Sequence, residues 1–528
     1  MQVFKFNRNN LGQANEQHLN LVYNQDAYSK FINHTFSLTN VELQIQEKKQ
    51  EFNKEKRTLL VNSLLKQYEN VQESSLSINN IKLLKNENAF TMTTGHQLSF
   101  FSGPMYFVVK ILHVIKLSEQ LKKQYSDFQF VPVYWMATED HDFEEVQSMR
   151  LFNKEFTWET DQEGPVGRFD LDGFEEVKKE IGEMFRDEGA EIHSLLKAYD
   201  GKNFTEATRN LVHFLFKSYG LVIIDGDDSA LKTQFSTVVK KELLEGFSFS
   251  EIERTNKELV TEGAKIQVKA REINLFYLKK GLRSRIISEN NQYNIQGEGA
   301  FTETEIMDEL EKHPERFSPN VILRPLYQEL TLPNLAYIGG TSEISYWLQL
   351  KGVFDAVNCV YPLIGVRNSI VWIESVTAKK KSKINLHLED IFKTKDQLKK
   401  EYVEKNSGDT LDFSSLENAL KTLQLEVKST ILANDPAMDA FSSAENARLA
   451  KQIDGLKAKM TKISKSKHQV AMNTIDQIKD KLFPDGKMQE RVHNFFSFCP
   501  DGNYTSQIEM LYSQLDPEEK DLLVLRES

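Results

Sequence analysis

The period of the apolar positions changes repeatedly along the first 380 residues. Ala89 to Thr94 is a short, uncharged and partly β-branched run that reads as a buried strand, whereas Met105 to Leu121 is apolar on nearly every face, as in a helix covered on all sides. Phe128 to Trp135 and Leu221 to Ile224 are further candidate strands, the latter flanked by helical pattern on both sides. Dense patterning returns at Ser318 to Pro325 and at Leu335 to Glu343, where paired glycines precede a helix at Ile344 to Leu350; Val360 to Ile364 is one more strand. Alternation of this kind predicts an α/β fold with a parallel sheet, whose ligands sit beyond the carboxyl ends of its strands. Residues 40 to 70 are charged with an amphipathic end, predicting one long exposed helix before the first strand.

Two stretches are less regular, about 151–200 and 245–315, and read as insertions in a core spanning 1–379. From 380 to 484 the pattern changes to charged helix. Leu416, Leu420, Leu423 and Val427, and again Leu449, Ile453, Leu456, Met460 and Ile463, step by threes and fours like the seam of an antiparallel coiled coil, a dimerisation arm. Asn406-Ser407-Gly408-Asp409 and Asn434-Asp435-Pro436 mark its breaks, and residues 485–528 return to the core.

Candidate chemistry gathers where the strands end. In the turn Thr93 to Pro104, Gly95 and Gly103 offer backbone freedom, Ser102 is an N-cap candidate, and Pro104 suits a first helical turn. Such a turn aims backbone N–H groups at one spot and suits an anion, or it is a structural turn with a core histidine, His96. Asp140, His141 and Asp142 follow the second strand, and with His96 supply either acid/base groups or metal ligands, although the spacing matches no zinc pattern. Asp225, Asp227 and Asp228 read as helix caps. Arg324 and Arg367, each near a strand end, are placed either to clamp a carboxylate or phosphate or to pair with a neighbouring Glu. Lys462 to His468 resembles the lysine-serine loop of class I aminoacyl-tRNA synthetases, but on a heptad helix it reads as a solvated basic face.

Composition narrows the picture. The 528 residues are 40% hydrophobic and 27% charged, with 66 basic against 77 acidic residues and a net charge of -11, which predicts no nucleic-acid footprint. Cys359 and Cys499 form no metal knuckle or disulfide framework, no run reaches the ~20 apolar residues of a membrane span, and Met1 to Asn10 lacks a signal core. A cytoplasmic, membrane-free location is expected. Dinucleotide and P-loop glycine motifs are absent.

Taken together, Thr94-Gly95-His96-Gln97, Gly103-Pro104 with Tyr106 and Lys110, Glu139 to Phe143 with Glu145, Asn320-Val321 with Leu323-Arg324-Pro325, and Ala336 to Gly340 resemble the cysteine-adding BshC family of bacillithiol biosynthesis. Glu343, Tyr346-Trp347 and Gln489-Glu490-Arg491 continue the match, which runs from about residue 90 to 498. The resemblance implies a Rossmann-like core with connecting-peptide insertions, a coiled-coil homodimer, and addition of cysteine to glucosaminyl malate in the last step towards bacillithiol. On that reading His96, Asp140 and His141 are the catalytic candidates, and Thr94, Gly95, Gln97, Tyr106, Asp142, Asn320, Arg324, Gly339, Gly340, Glu343 and Tyr346 contact substrate, with no metal ligand among them. Amide synthesis needs an activated carboxyl, so ATP with Mg²⁺ is expected on chemical grounds, although no sequence motif identifies the cofactor. Two other readings compete: an adenylyl-transferring relative of the class I synthetases, and a coiled-coil docking protein without activity.

Overall fold

The computed structural model describes residues 1–11, 15–187, 189–406 and 412–527. Two compact units emerge: Gln2–Trp372 with Met488–Leu525, and Ile373–Lys487 with the extreme ends of the chain. In the larger unit β1 (Ala89–His96), β2 (Gln129–Met136), β3 (Val222–Asp225), β4 (Asn334–Gly339) and β5 (Leu363–Val366) form a parallel sheet. Its order is β3-β2-β1-β4-β5. The strands are buried almost throughout because both faces are covered, which is why they read as apolar runs. On one face Phe90, Met92, Phe130, Leu335 and Ile338 pack on Val114, Leu117 and Leu121 of α1 (Tyr106–Gln124) and on Val41 and Ile45.

Several local expectations need correction. Residues 40–70 form two helices, Val41–Glu51 and Lys54–Gln67, not one, because Asn53 caps the second through its side chain (Lys56 N–H, 3.0 Å). The second helix is not exposed scaffold, for Leu60 and Leu64 are fully buried. Ser102 is not the cap of α1: it has φ +66°, and its hydroxyl is buried without a partner. Instead Asn494 donates to the carbonyls of Phe101 (2.8 Å) and Gly103 (2.7 Å), and Met105 N–H donates to His493 O (2.8 Å). Gly103 itself is required, since at φ +60° a Cβ would stand 2.6 Å from that of Ser99.

The dense patterning of Ser318 to Pro325 covers a strand end and a helix start. A three-residue strand, Phe317–Pro319, is followed by a turn, and α3 (Leu323–Thr331) then carries Arg324 and Pro325 in its first turn, where proline is tolerated. (The helix directly after β3, Ser229–Glu245, is α2; Thr341–Trp347, after β4, is α4.) The 245–315 insertion is more regular than its composition suggests: a helix, Phe247–Thr261, and an antiparallel sheet built from Leu275–Lys279, Leu282–Glu289, Gln292–Ile295 and Gly299–Phe301, which Phe317–Pro319 completes. The 151–200 stretch holds the second strand of the hairpin Ser148–Leu151/Lys154–Thr157 and the helices Phe174–Gly182 and Glu191–Ala198.

In the smaller unit α5 (Ser414–Asn434) and α6 (Asp439–Lys467) pair as a hairpin. Glu417 meets Lys457 (2.6 Å), Gln424 exchanges hydrogen bonds with Asn446 (3.1 and 3.0 Å), and Lys428 meets Asp439 (3.1 Å). One number rises as the other falls, so the helices are antiparallel. The break at Asp435-Pro436 is an Asp-capped turn (Ala437 N–H, 2.9 Å), while Ser407 to Asp409 of the other predicted break lie outside the described residues.

The aspartates after β3 are structural. Asp228 caps α2, accepting from Ala230 N–H (2.9 Å) and Leu231 N–H (3.0 Å), and Asp227 binds Arg168 through two bonds of 2.7 and 2.8 Å. Asp225 accepts from the Thr138 hydroxyl (2.5 Å), and burial together with the nearby Asp227 pushes its carboxyl up to about 6. A carboxyl raised in the folded state supports stability below its unfolded value, near 3.8, and this contribution is lost as pH rises through about 6. Asp225→Asn keeps an acceptor for Thr138 and removes the buried charge. Its expected effect is a gain of roughly 1–3 kcal/mol at pH 7.5 that vanishes near pH 3.5, read from denaturant unfolding at the two pH values; a loss at pH 7.5 would contradict this account.

Candidate active site

The strand order reverses direction between β1 and β4, the switch point where such sheets place ligands. A cavity of about 820 Å³ opens there, lined by both strand ends, by α1, α3 and α4, and by the inserted sheet. Its floor is an ionic knot. Lys110 of α1 donates to Gly95 O (2.6 Å) and to Glu343 of α4 (2.7 Å). Glu343 also accepts from the Tyr337 hydroxyl and from Gly340 N–H (3.1 Å). Burial works to raise the Glu343 carboxyl, yet Lys110 and these donors hold it below its usual range, so it stays ionised. Both helix N-termini are thereby occupied, α4 by Glu343 and α1 by His493 O. The positive potential expected from a helix end comes from side chains instead.

The two candidate arginines part company. Arg367 forms a buried bidentate pair with Glu490 (3.1 and 2.9 Å) and lies 4.9 Å over the Tyr106 ring, so it is already neutralised. Among the described residues Arg324 has no carboxylate within ion-pair distance. Its Nη1 donates to Gln328 (3.0 Å), its guanidinium lies 5.7 Å from the Tyr337 ring, and Nη2 is buried without a hydrogen bond. Of the floor cations, Lys110 is paired with Glu343 and Arg367 with Glu490 behind the lining, leaving an excess positive charge on Arg324.

His96 is the last residue of β1, not part of the turn. Its ring packs against Tyr106 (5.4 Å) and Phe107 (5.3 Å), with Ser99 Oγ 3.5 Å away. Burial and then Lys110 push the imidazole down to about 3, so it is neutral at physiological pH. Asp140 accepts from Gln97 Nε2 (2.8 Å) and His141 N–H (2.8 Å), with Arg283 3.6 Å away. Burial opposes its ionisation, but His141, Gln97 and Arg283 hold the carboxyl well below the usual range.

Of the sequence-derived site residues, His96, Asp140, Gly95, Gln97, Tyr106 and Asn320 line the cavity, as do Arg324, Gly340, Glu343 and Tyr346. Four do not. Thr94 ties β1 to β4 through Ile338 O (2.7 Å), and Gly339 packs under Glu343, where a Cβ would stand 2.9 Å from its oxygen. Asp142 is exposed. His141 lies outside the lining with Nδ1 2.6 Å from Arg283 Nη1. A guanidinium only donates, so this Nδ1 accepts and the ring proton sits on Nε2. Among the described residues no group of three or more His, Cys, Asp or Glu is arranged to hold a metal ion.

The sequence reading missed the cavity wall supplied by the insertion: Gln267, Lys269 and Arg271 on an extended strap, and Arg283 and Arg285 on a strand. Arg283-Ser284-Arg285 places two cations on one face of that strand, and this alternation was the available signal.

Residues 5–368 match the family model described as the N-terminal Rossmann-like domain of the bacillithiol biosynthesis protein BshC, and residues 370–527 match its C-terminal coiled-coil domain. A Flavobacterium johnsoniae protein named "putative cysteine ligase BshC" is 41% identical, covering 88% of this chain and 89% of its own length. Relatives of the same name from Cytophaga hutchinsonii and Christiangramia forsetii are 39% and 36% identical, each covering 87% and 94% of both chains respectively. With the Rossmann-like sheet, the helical arm and matches over nearly the whole length, the chain belongs to the BshC family of bacillithiol biosynthesis.

Proposed function

We propose that the cavity joins the carboxyl group of cysteine to the amine of glucosaminyl malate, forming the amide of bacillithiol in the last step of its synthesis. The family supports a ligase of this pathway. The observation that carries the substrate reading is Arg324, a buried guanidinium with no carboxylate partner among the described residues, on a cavity floor of net positive charge, suited to a malate carboxylate. Asp140, held ionised, attracts the incoming ammonium, which gives up a proton to solvent to become the amine that Asp140 orients. Neutral His96 donates its ring N–H to the developing oxyanion without adding charge. His141, engaged by Arg283, keeps the Asp140 turn in place. A free carboxylate is a poor electrophile, and ATP with Mg²⁺ would supply its activation when bound.

The exposed side chains of Leu423 (45%), Leu456 (46%) and Met460 (40%) support a second proposal, that the arm pairs with a second copy of the chain. A double variant Leu456→Glu/Met460→Glu is expected to be monomeric by light scattering, and a persistent dimer would place the interface elsewhere.

Cells lacking the protein are expected to accumulate glucosaminyl malate and lose bacillithiol, and an unchanged thiol profile would overturn the reading. Arg324→Lys keeps the charge but loses the planar fork, at an expected cost of roughly 1–3 kcal/mol in glucosaminyl malate binding. Unchanged affinity would reduce Arg324 to a structural role. Asp140→Asn is expected to lower turnover roughly 100-fold in folded protein. His141→Gln, whose amide still accepts from Arg283, should cost far less; equal losses would return His141 to the reacting centre.

A further inference from the structure

The cavity wall carries more positive charge than one carboxylate needs. Its three carboxylates are each engaged already: Glu139 by Lys232, Asp140 by Arg283 (3.6 Å) and Glu343 by Lys110 (2.7 Å). Around the mouth Lys269, Arg271, Arg285 and Arg491 are exposed, and none makes an ion pair among the described residues. They come from separate segments of a chain whose net charge is -11, so their convergence does not follow from composition.

The strap bearing Lys269 and Arg271 is also pinned. The fully buried Gln349 side chain acts as a strand partner for it, accepting from Gln267 N–H (2.9 Å) and Val268 N–H (3.1 Å) and donating to Val268 O (2.8 Å). Buried Asn274 closes the other end, accepting from Arg271 N–H (3.0 Å) and donating to Arg271 O (2.8 Å). Cations on a preorganised backbone lose less entropy on binding than cations on a loose loop.

We infer that Lys269, Arg271, Arg285 and Arg491 form a second anion site at the cavity mouth, separate from Arg324, that takes the phosphate chain of a nucleoside triphosphate. The assignment rests on the ligase reading, in which a carboxyl must be activated, and four cations exceed what the second carboxylate of a diacid requires.

The test is calorimetric binding of inorganic tripolyphosphate, ATP and L-malate to the whole protein, comparing wild type with Lys269→Ala/Arg271→Ala. A control pair, Lys122→Ala/Lys123→Ala on the last turn of α1, removes the same charge elsewhere. The mouth variant is expected to weaken tripolyphosphate and ATP roughly tenfold or more and leave L-malate unchanged, while the control changes none of them. Weakening of tripolyphosphate without ATP would overturn the nucleotide assignment and leave free inorganic phosphates as the source. Undiminished tripolyphosphate binding, equal weakening by the control pair, or concurrent loss of malate would overturn a separate site. Loss of the site with an intact thiol-forming activity would reject this inference alone, whereas an unchanged cellular thiol profile rejects the ligase reading itself.

Discussion

The Lys110–Glu343 pair is the constraint on which the rest of the site depends. It ties the middle of the cavity floor to β1 through Gly95 O, to β4 through the Tyr337 hydroxyl and to the start of α4 through Gly340 N–H. Neither charge is affordable alone at that depth: removing one partner of a buried pair leaves the other unsolvated, typically at a cost of roughly 3–5 kcal/mol. Tyr337 is fixed in turn by stacking on Trp347, with ring centroids 4.4 Å apart. The two strand ends at the switch point are thus held at one separation, and the ligand pocket between them is built before any ligand arrives.

A second buried network explains why Arg324 stands ready without a carboxylate of its own. Thr93 (2.8 Å) and Thr91 (3.2 Å) donate to Asn334, whose amide donates to Glu329 (2.7 Å). Gln328 donates to the same Glu329 oxygen (2.8 Å) and so turns its own carbonyl towards Arg324 Nη1 (3.0 Å). Glu329 is answered by Lys48, which donates to its backbone carbonyl (3.1 Å) from a helix far away in sequence. The carboxylate nearest Arg324 along α3 is therefore committed elsewhere, and Nη2 of the guanidinium is left without a hydrogen bond among the described residues.

The insertion adds to this frame without disturbing it. Arg283 lies 3.9 Å over the Phe276 ring and reaches both Asp140 and His141, so the inserted sheet is locked onto the turn after β2. That contact sets the His141 tautomer and helps keep Asp140 ionised. A cation from another part of the chain thus occupies the Nδ1 lone pair of His141, which the sequence alone offers as a free acceptor.

Local pattern alone determined the buried parallel strands, the long apolar helix behind the first of them, the antiparallel arm and the clustering of polar residues at strand ends. Each of these follows from side-chain period and from short-range turn chemistry, which act over a few residues. His96, Asp140, Arg324 and Glu343 were legible as cavity residues because they sit beside glycine turns or strand ends in the sequence itself. What the tertiary structure decided were pairings between distant segments: Arg367 with Glu490 rather than a ligand, His141 with Arg283, the strap of Gln267 to Arg271 with Gln349 and Asn274. These depend on long-range placement and on the cost of leaving a buried charge or amide unmatched, and neither is written in the spacing of neighbouring residues.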